Sequence, residues 1–184
     1  MTDMAVSADN LSLPPPVPAA AMWLPGQALN CYVGDQSLRS WLLTPGLLTQ
    51  RIREAAGDGF AMHLLREAHI GDEQVREVDM TCDEVVWMFA HTRIPASTLA
   101  AEPWLGQIGS RTLGEALEGR ATLTREPFRY AQFYPDVWLV KRALSHAALT
   151  PQPLWVRHSA LQLGAAPFDL YEVFLPTIGR RGPR

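Results

Sequence analysis

Two ionisable side chains lie within segments that resemble apolar β-strands. Because side chains alternate along a strand, Arg76 shares one face of EQVREVDM with Val78. By the same count, Glu172 lies between Leu170 and Phe174 on one face of FDLYEVFL. A carboxylate among apolar neighbours is costly to bury in its ionised form unless a cation or donor meets it, so Glu172 is a candidate acid or base. The same pattern permits a simpler arrangement, in which Arg76 and Glu172 pair with each other or lie in water at a strand edge.

Three further ionisable residues occur in strand-like segments. Arg157 shares a face with Trp155 and Leu161, where its aliphatic stem can cover apolar surface while the guanidinium reaches water. His91 and Arg93 are two residues apart and face the same way, so they line either a site or an exposed face. We predict that these three residues, Arg157, His91 and Arg93, do not contact a ligand themselves but position the residues that do.

The chain lacks the short motifs of several enzyme classes. It contains no P-loop, no GxGxxG turn, no GxSxG elbow, no HExxH motif and no paired CxxC. Its five histidines are scattered along the sequence, so we expect no metal site. Cys31 and Cys82 are too few for a disulfide framework, which favours a reducing cytoplasm.

Composition and charge limit the class of protein and its partners. With 184 residues, 47% hydrophobic and 19% charged, the chain is expected to fold as one domain around one core. A formal net charge of -3 argues against a nucleic-acid partner that requires a general basic surface. Because no apolar stretch is long enough for a signal peptide or a membrane span, we expect a cytoplasmic protein without stable membrane insertion.

The sequence divides into three regions. Five prolines among the first 25 residues predict an extended N-terminal arm over residues 1–34. The domain, residues 35–178, begins with a helix pair: DQSLRSWLL, then a helix through LLTQRIREAAG with Thr44 as its N-cap and Pro45 at its first position. Residues 179–184 form a basic tail.

A period-two pattern follows the helix pair and predicts six strands. They are FAMHLLREAHI, EQVREVDM, VVWMFAHTRI, ATLTREPFRYAQF, LWVRHSALQL and FDLYEVFL. Strands joined by such short links must be antiparallel neighbours, so the fold class is α+β. A second helix pair, hinged between Gly106 and Gly109, interrupts the sheet after the third strand. Residues 134–153 form either a helix, which we favour, or an excursion of the sheet.

These segments, taken in order, resemble one known family. They are WLLTPGLLTQRI, VREV, WMFAHTRIPASTL, IGSRTLGEAL, TLTRE and WVRHSALQLGAAPFDLYEVFLP. In this order they are similar to the chorismate pyruvate-lyases, which convert chorismate into 4-hydroxybenzoate and pyruvate for ubiquinone biosynthesis. The similarity extends from about Trp41 to Pro176, and RIPASTL and EVFLP are its most specific parts.

The resemblance implies a fold and a set of site residues. The expected fold is a six-stranded antiparallel sheet with helices on one side and two helix-turn-helix flaps over an internal ligand cavity. Arg76 of VREV is expected to clamp a ligand carboxylate, and Glu172 of YEVFLP to meet the ring hydroxyl, both as catalytic residues. Leu48 of LLTQR and Leu113 of RTLG are expected to close over the ring.

The resemblance also implies a reaction that needs no cofactor and no metal. Chorismate is a dicarboxylate, and loss of pyruvate together with a ring proton makes its ring aromatic, so the reaction is downhill. The protein must hold the dianion, orient the breaking C–O bond, move a proton and exclude water. Chorismate and 4-hydroxybenzoate are the expected partners, and we expect a monomer.

The chain departs from the family pattern at a few positions. Leu48 stands where methionine is common, and Ala90 and His91 stand where glycine and arginine are common. The cavity would then lack a second cation unless Arg93, on the same face as His91, takes its place. Residues 134–153 make the chain longer than is usual in the family. Two alternatives stay open: a non-catalytic domain of this fold that binds a small carboxylate, and a relative that makes a neighbouring aromatic product from chorismate.

Overall fold

An antiparallel sheet of eight strands forms the centre of the protein. A computed structural model describes residue 17, residues 22–46 and residues 48–180. The strands are β1 (Leu24–Pro25), β2 (Phe60–Ile70), β3 (Glu73–Cys82), β4 (Val85–Pro95), β5 (Leu123–Arg125), β6 (Arg129–Phe133), β7 (Leu154–Leu163) and β8 (Ala166–Phe174). Their order across the sheet is β1-β6-β7-β8-β4-β3-β2, and β5 pairs with the remaining length of β7. The α+β class and the antiparallel pairing agree with the sequence prediction.

The number of strands in the described residues differs from the predicted six. The segment ATLTREPFRYAQF forms two strands, β5 and β6, because Pro127 lies between them and has no N–H to donate to a ladder. The two-residue β1 adds a further strand, paired with β6 through Leu24 and Tyr130.

Six α-helices and three 3₁₀ turns accompany the sheet within the described residues. The helices are α1 (Leu29–Tyr32), α2 (Gln36–Leu42), α3 (Leu48–Ala56), α4 (Ala96–Ala101), α5 (Leu113–Leu117) and α6 (Trp138–His146). The 3₁₀ turns are Gly26–Ala28, Gly57–Gly59 and Pro103–Gln107. The helix favoured for residues 134–153 is therefore confirmed as α6. No helix in the described part of the chain combines the length and apolar character needed to cross a membrane.

The predicted start of α3 is wrong. Thr44 does not cap the helix, since its hydroxyl donates to the carbonyl oxygen of Trp41 at 2.6 Å. Gly46 has a φ of 71°, in the left-handed region that favours glycine, so the backbone leaves the helical path after Pro45. The helix therefore begins at Leu48.

Helices cover both faces of the sheet, so the prediction that they lie on one side is also wrong. Ile52 of α3 shares a buried cluster with Met88 of β4. Leu139 of α6 shares a different buried cluster with Phe89, the next residue of β4. Because successive strand residues point to opposite faces, α3 and α6 lie on opposite sides of the sheet. We call the α3 side the inner face and the α6 side the outer face.

Part of the predicted N-terminal arm belongs to the packed fold. Leu24, Leu29 and Val33 are buried in the cluster that includes α3. Residues 1–16 and 18–21, where most of the prolines occur, lie outside the described residues. In the predicted basic tail, the Trp87 indole N–H donates a hydrogen bond to the carbonyl oxygen of Arg180 at 2.7 Å. Residues 181–184 of that tail lie outside the described residues.

Candidate active site

A cavity on the inner face brings together the four residues expected to contact a ligand. Arg76 and Glu172 line its floor, and Leu48 and Leu113 line its roof. The apolar part of the floor comes from β3, β4 and β8 and includes Val78, Met80, Met88, Ala90 and Leu170. The volume of the cavity is about 40 Å³, which is enough for about three waters.

Alternation along the strands places these floor residues. Arg76 pairs in register with Thr92 of β4, and Ala90 of β4 pairs with Glu172 of β8. Arg76, Thr92, Ala90 and Glu172 therefore point to the same side of the sheet, and Arg76 and Glu172 each share that side with the apolar neighbours predicted within their own strands. The alternative in which Arg76 and Glu172 pair with each other is not observed, because each has other ionic partners.

Arg76 is buried and holds the loop that leads into α5. Its Nη2 donates to the carbonyl oxygens of Gly109 at 3.0 Å and Arg111 at 2.6 Å. Its Nε lies 3.4 Å from a carboxylate oxygen of Glu67 and makes no hydrogen bond within the described chain. Burial lowers the pKa of Arg76, and the charge of Glu67 opposes that change.

Glu172 is held by Arg157, its cross-strand neighbour on β7. The Arg157 Nε donates to Oε2 of Glu172 at 2.6 Å and its Nη2 donates to Oε1 at 3.0 Å, which is a bidentate pair. The two side chains are 1% and 7% exposed. The Arg157 Nη1 donates to the carbonyl oxygen of Thr44 at 2.9 Å, in the loop before α3. Each Glu172 oxygen retains acceptor capacity for a ligand hydroxyl, because a carboxylate oxygen can accept more than one hydrogen bond.

The roof of the cavity is formed by α3 and α5, which are joined by an ion pair. At the start of α5, Thr112 and Glu115 form a capping box, in which each side chain accepts from the other's backbone N–H. The Arg53 Nη2 of α3 lies 2.7 Å from Oε1 of Glu115. Both side chains are more than a third exposed, so the pair spans the outside of the roof. The Glu115 pKa is lowered chiefly by the Thr112 backbone N–H and by Arg53.

His91 and Arg93 lie on the outer face, away from the cavity. The His91 Nδ1 is 3.2 Å from Oε1 of Glu77, and Arg142 of α6 donates from its Nε to Oε2 of Glu77 at 2.7 Å. Arg93 forms a bidentate pair with Glu73 at 2.7 and 2.9 Å. The expectation that Arg93 supplies a second cavity cation is therefore wrong, because residues 91 and 93 alternate with the cavity residues 90 and 92 along β4.

A different arginine, Arg125 of β5, lines the cavity and was not anticipated from the sequence. Its Nη1 donates to the carbonyl oxygen of Gly46 at 3.2 Å, and its guanidinium carbon lies 4.9 Å from the centroid of the Phe128 ring. Burial lowers the pKa of Arg125, the charge of Glu172 opposes that effect, and Arg157 reinforces it. The available signal was the TLTR segment itself, in which Leu123 and Arg125 alternate with Thr124.

Within the residues that the structure describes, no group of three or more His, Cys, Asp or Glu side chains is arranged to hold a metal ion. The ionic groups that line the cavity are Arg76, Arg125 and Glu172; guanidinium groups bind anions, and a carboxylate accepts hydrogen bonds from hydroxyls.

Comparison with known sequences gives the family. Residues 70–181 match the family described as Chorismate lyase, and that match covers more than half of the chain. The chain belongs to the chorismate lyase family. Among its relatives, the chorismate pyruvate-lyase of Erwinia tasmaniensis is 31% identical over 177 residues, covering 88% of this chain and 89% of that protein. The probable chorismate pyruvate-lyase of Methylobacillus flagellatus is 29% identical, covering 79% of this chain and 90% of that protein.

Comparison with solved structures concerns the fold alone. The C-terminal domain of the histidine utilization repressor from Pseudomonas syringae superposes with a TM-score of 0.51 and is 10% identical in sequence. The match covers 68% of this chain and 97% of that domain. This chorismate lyase family member thus shares its general architecture with a repressor domain, while the two sequence relatives above are named as a chorismate pyruvate-lyase and a probable one.

Proposed function

We propose that this member of the chorismate lyase family eliminates pyruvate from chorismate and releases 4-hydroxybenzoate, which supplies ubiquinone biosynthesis in the cytoplasm. One observation carries the proposal: the cavity presents a buried guanidinium, Arg76, and a buried carboxylate, Glu172, on one apolar floor. The near full-length relatives named as chorismate pyruvate-lyases support it. The two cysteines form no disulfide, which is compatible with a reducing compartment.

The two ionic groups would hold opposite ends of the substrate ring. Arg76, which lines the cavity, binds the ring carboxylate through its guanidinium. Glu172 accepts a hydrogen bond from the ring hydroxyl, while Arg157 fixes its orientation through two hydrogen bonds. The apolar floor and the leucines of the roof exclude water from the reacting carbons.

The reaction requires movement of one proton and cleavage of one C–O bond. The ring carbon that bears the hydroxyl loses its proton, the ether bond on the neighbouring ring carbon breaks, and the electron pair of the C–H bond completes the aromatic ring. The enolpyruvate leaving group then takes up a proton at its methylene carbon and becomes pyruvate. Glu172, beside the hydroxyl, is the carboxylate that lines the cavity within the described residues, so we assign it the proton transfer.

We further propose that the helix pairs α2–α3 and α4–α5 act as flaps. The roof leucines lie over the floor of the cavity, so movement of these helix pairs would let a ligand enter and leave. Leu48 and Leu113 at the roof would then close over the ring. Because an aromatic product buried under closed flaps leaves slowly, product release would limit turnover.

The proposal is tested by mixing the purified protein with chorismate in a buffer that contains a chelator. Equal amounts of 4-hydroxybenzoate and pyruvate are expected, measured by chromatography and by a coupled pyruvate assay. Binding of chorismate without turnover would instead indicate a carboxylate-sensing domain. A different aromatic product would indicate the neighbouring enzyme.

The roles of Arg76 and Glu172 are separable by substitution. Arg76→Ala should weaken 4-hydroxybenzoate binding in calorimetry by a few kcal/mol, as for loss of a charged hydrogen bond in a desolvated site. Glu172→Gln should fold normally and lower kcat far more than it lowers the melting temperature. Unchanged affinity in the first variant removes Arg76 from the site. A more stable Glu172→Gln variant with a normal rate makes Glu172 a strained core residue.

A further inference from the structure

We propose that Arg125 binds the enolpyruvyl carboxylate of chorismate and thereby distinguishes the dicarboxylate substrate from the monocarboxylate product. This inference rests on the proposed function and deepens it. It assigns the cavity a second anion-binding position, separate from Arg76, and it makes Arg125 a residue that contacts the leaving group rather than the ring.

Arg125 lies at the Glu172 end of the cavity. On the sheet, Arg125 of β5 pairs with Leu161 of β7, and Arg157, four residues before Leu161, pairs with Glu172 of β8. Arg125 and Arg157 also lie against the same aromatic ring, since their guanidinium carbons are 4.9 and 4.3 Å from the centroid of Phe128. Arg76, by contrast, lies on β3, which is separated from β8 by β4.

The chemistry of chorismate places its second carboxylate at that end. The enolpyruvyl ether and the ring hydroxyl occupy adjacent ring carbons. If Arg76 holds the ring carboxylate and Glu172 meets the hydroxyl, then the enolpyruvyl group extends beside Glu172 and away from Arg76. A cation is needed there, because a carboxylate transferred from water into this cavity without a partner carries a large desolvation cost.

Arg125 is the cavity cation that remains available for this carboxylate. Arg157 is committed to Glu172 and to the backbone oxygen of Thr44. Arg125, in contrast, makes a single 3.2 Å hydrogen bond to the Gly46 carbonyl oxygen, and within the described residues no acidic group lies within 4 Å of it. Its contact with Phe128 orients the planar guanidinium and leaves N–H donors at its edge for a bidentate carboxylate.

The proposal implies different effects on substrate and product. When the C–O bond breaks, the carboxylate held by Arg125 departs with pyruvate. The remaining 4-hydroxybenzoate has only the ring carboxylate and the hydroxyl, which Arg76 and Glu172 hold. Arg125 would therefore contribute to binding of chorismate and to placement of its leaving group, but not to retention of the aromatic product.

The test compares Arg125→Met and Arg125→Lys with Arg129→Met, which replaces an exposed arginine on the neighbouring β6. Steady-state kinetics give KM and kcat for chorismate, and calorimetry gives Kd for 4-hydroxybenzoate. We expect Arg125→Met to raise KM at least 30-fold and to change Kd for 4-hydroxybenzoate less than threefold. Arg125→Lys should recover part of the loss in KM, and Arg129→Met should match the wild type in both measurements.

Two results overturn the inference. A KM within twofold of wild type in Arg125→Met removes Arg125 from substrate binding. A parallel rise in KM and in Kd for 4-hydroxybenzoate shows instead that Arg125 acts by fastening the Gly46 loop. If Arg125→Met does not fold, Arg125→Gln is measured by the same criteria. Failure of the wild type to release pyruvate from chorismate is a separate outcome, which refutes the proposed function itself.

Discussion

Glu77 should support the stability of the protein without taking part in its chemistry. Its carboxylate is fully buried on the outer face, where His91 and Arg142 contact it. Burial alone would raise the Glu77 pKa, but the hydrogen bonds and charges of His91 and Arg142 outweigh it and lower the pKa to about 2. We predict that Glu77→Gln destabilises the protein at neutral pH and leaves kcat within twofold of wild type.

The size of the effect follows from proton linkage. A change in pKa from 4.5 to about 2 corresponds to about 3 kcal/mol. Because the folded-state pKa is the lower one, this stabilisation is fully present above pH 4.5 and is lost as the pH falls through about 2. The wild type should therefore be about 3 kcal/mol more stable than Glu77→Gln at pH 7, and the two should converge near pH 2.

Urea unfolding followed by circular dichroism at several pH values between 2.5 and 7 measures this difference. Glu84→Gln, which changes an exposed glutamate in the β3–β4 turn, is the matched control and should track the wild type. Burial lowers the His91 pKa and Glu77 opposes that change, so in the wild type and in Glu84→Gln the imidazole adds a loss of stability as the pH falls below about 6.5. A wild-type advantage that stays constant down to pH 2.5, or a large loss of kcat in Glu77→Gln, would refute the reasoning.

Three other outcomes are expected. Arg157→Met should lower the free energy of unfolding by about 3–5 kcal/mol, because it leaves Glu172 unpaired in a buried site; a loss below 1 kcal/mol in urea unfolding contradicts this. Arg53→Ala removes the ion pair between α3 and α5. It should speed release of 4-hydroxybenzoate by up to about fivefold in stopped-flow measurements. An unchanged release rate would mean that the ion pair does not restrain the roof. Leu139→Ala should lower the free energy of unfolding by about 2–5 kcal/mol, because Leu139 packs α6 against the sheet. KM should stay at its wild-type value, and a changed KM would show that packing on the outer face affects the cavity.

Two residues of the cavity floor could be predicted because their positions depend on local periodicity. Alternation in β3 and β8 placed Arg76 and Glu172 on faces with apolar neighbours, and the structure puts both faces in one cavity. Hydrophobic spacing likewise favoured α6. These properties follow from backbone geometry within one element, so they can be read without knowledge of the tertiary fold.

The partner of Glu172 was not predicted, although the sequence contains a signal for it. β7 and β8 form a hairpin whose turn is Gly164 and Ala165. Counting back equally from this two-residue turn places Arg157 directly opposite Glu172, as the register shows. Considering each strand separately gave Arg157 as a side chain that covers apolar surface or supports the site, without naming its partner.

Other features depend on tertiary packing. The apolar stripe of α6 predicts that the helix packs against something, but it does not specify which side of the sheet it covers. The position of Arg125 at the cavity depends on β5 pairing with β7, and the two strands are separated by residues 126–153. The departure of Gly46 from helical geometry occurs where Thr44 and Pro45 form an ordinary helix-start pattern, so the pattern alone could not reveal it.

Strict alternation in β3 limits how this protein can change length. Arg76 and Glu77 are adjacent and point into different environments, so a one-residue slip of β3 would exchange a cation for an anion in the ligand cavity. The connection between β6 and β7, in contrast, contains the whole of α6 while β7 still presents Arg157 to the inner face. Whole segments inserted between strands should therefore be tolerated, whereas single-residue insertions or deletions within β3 should abolish substrate binding.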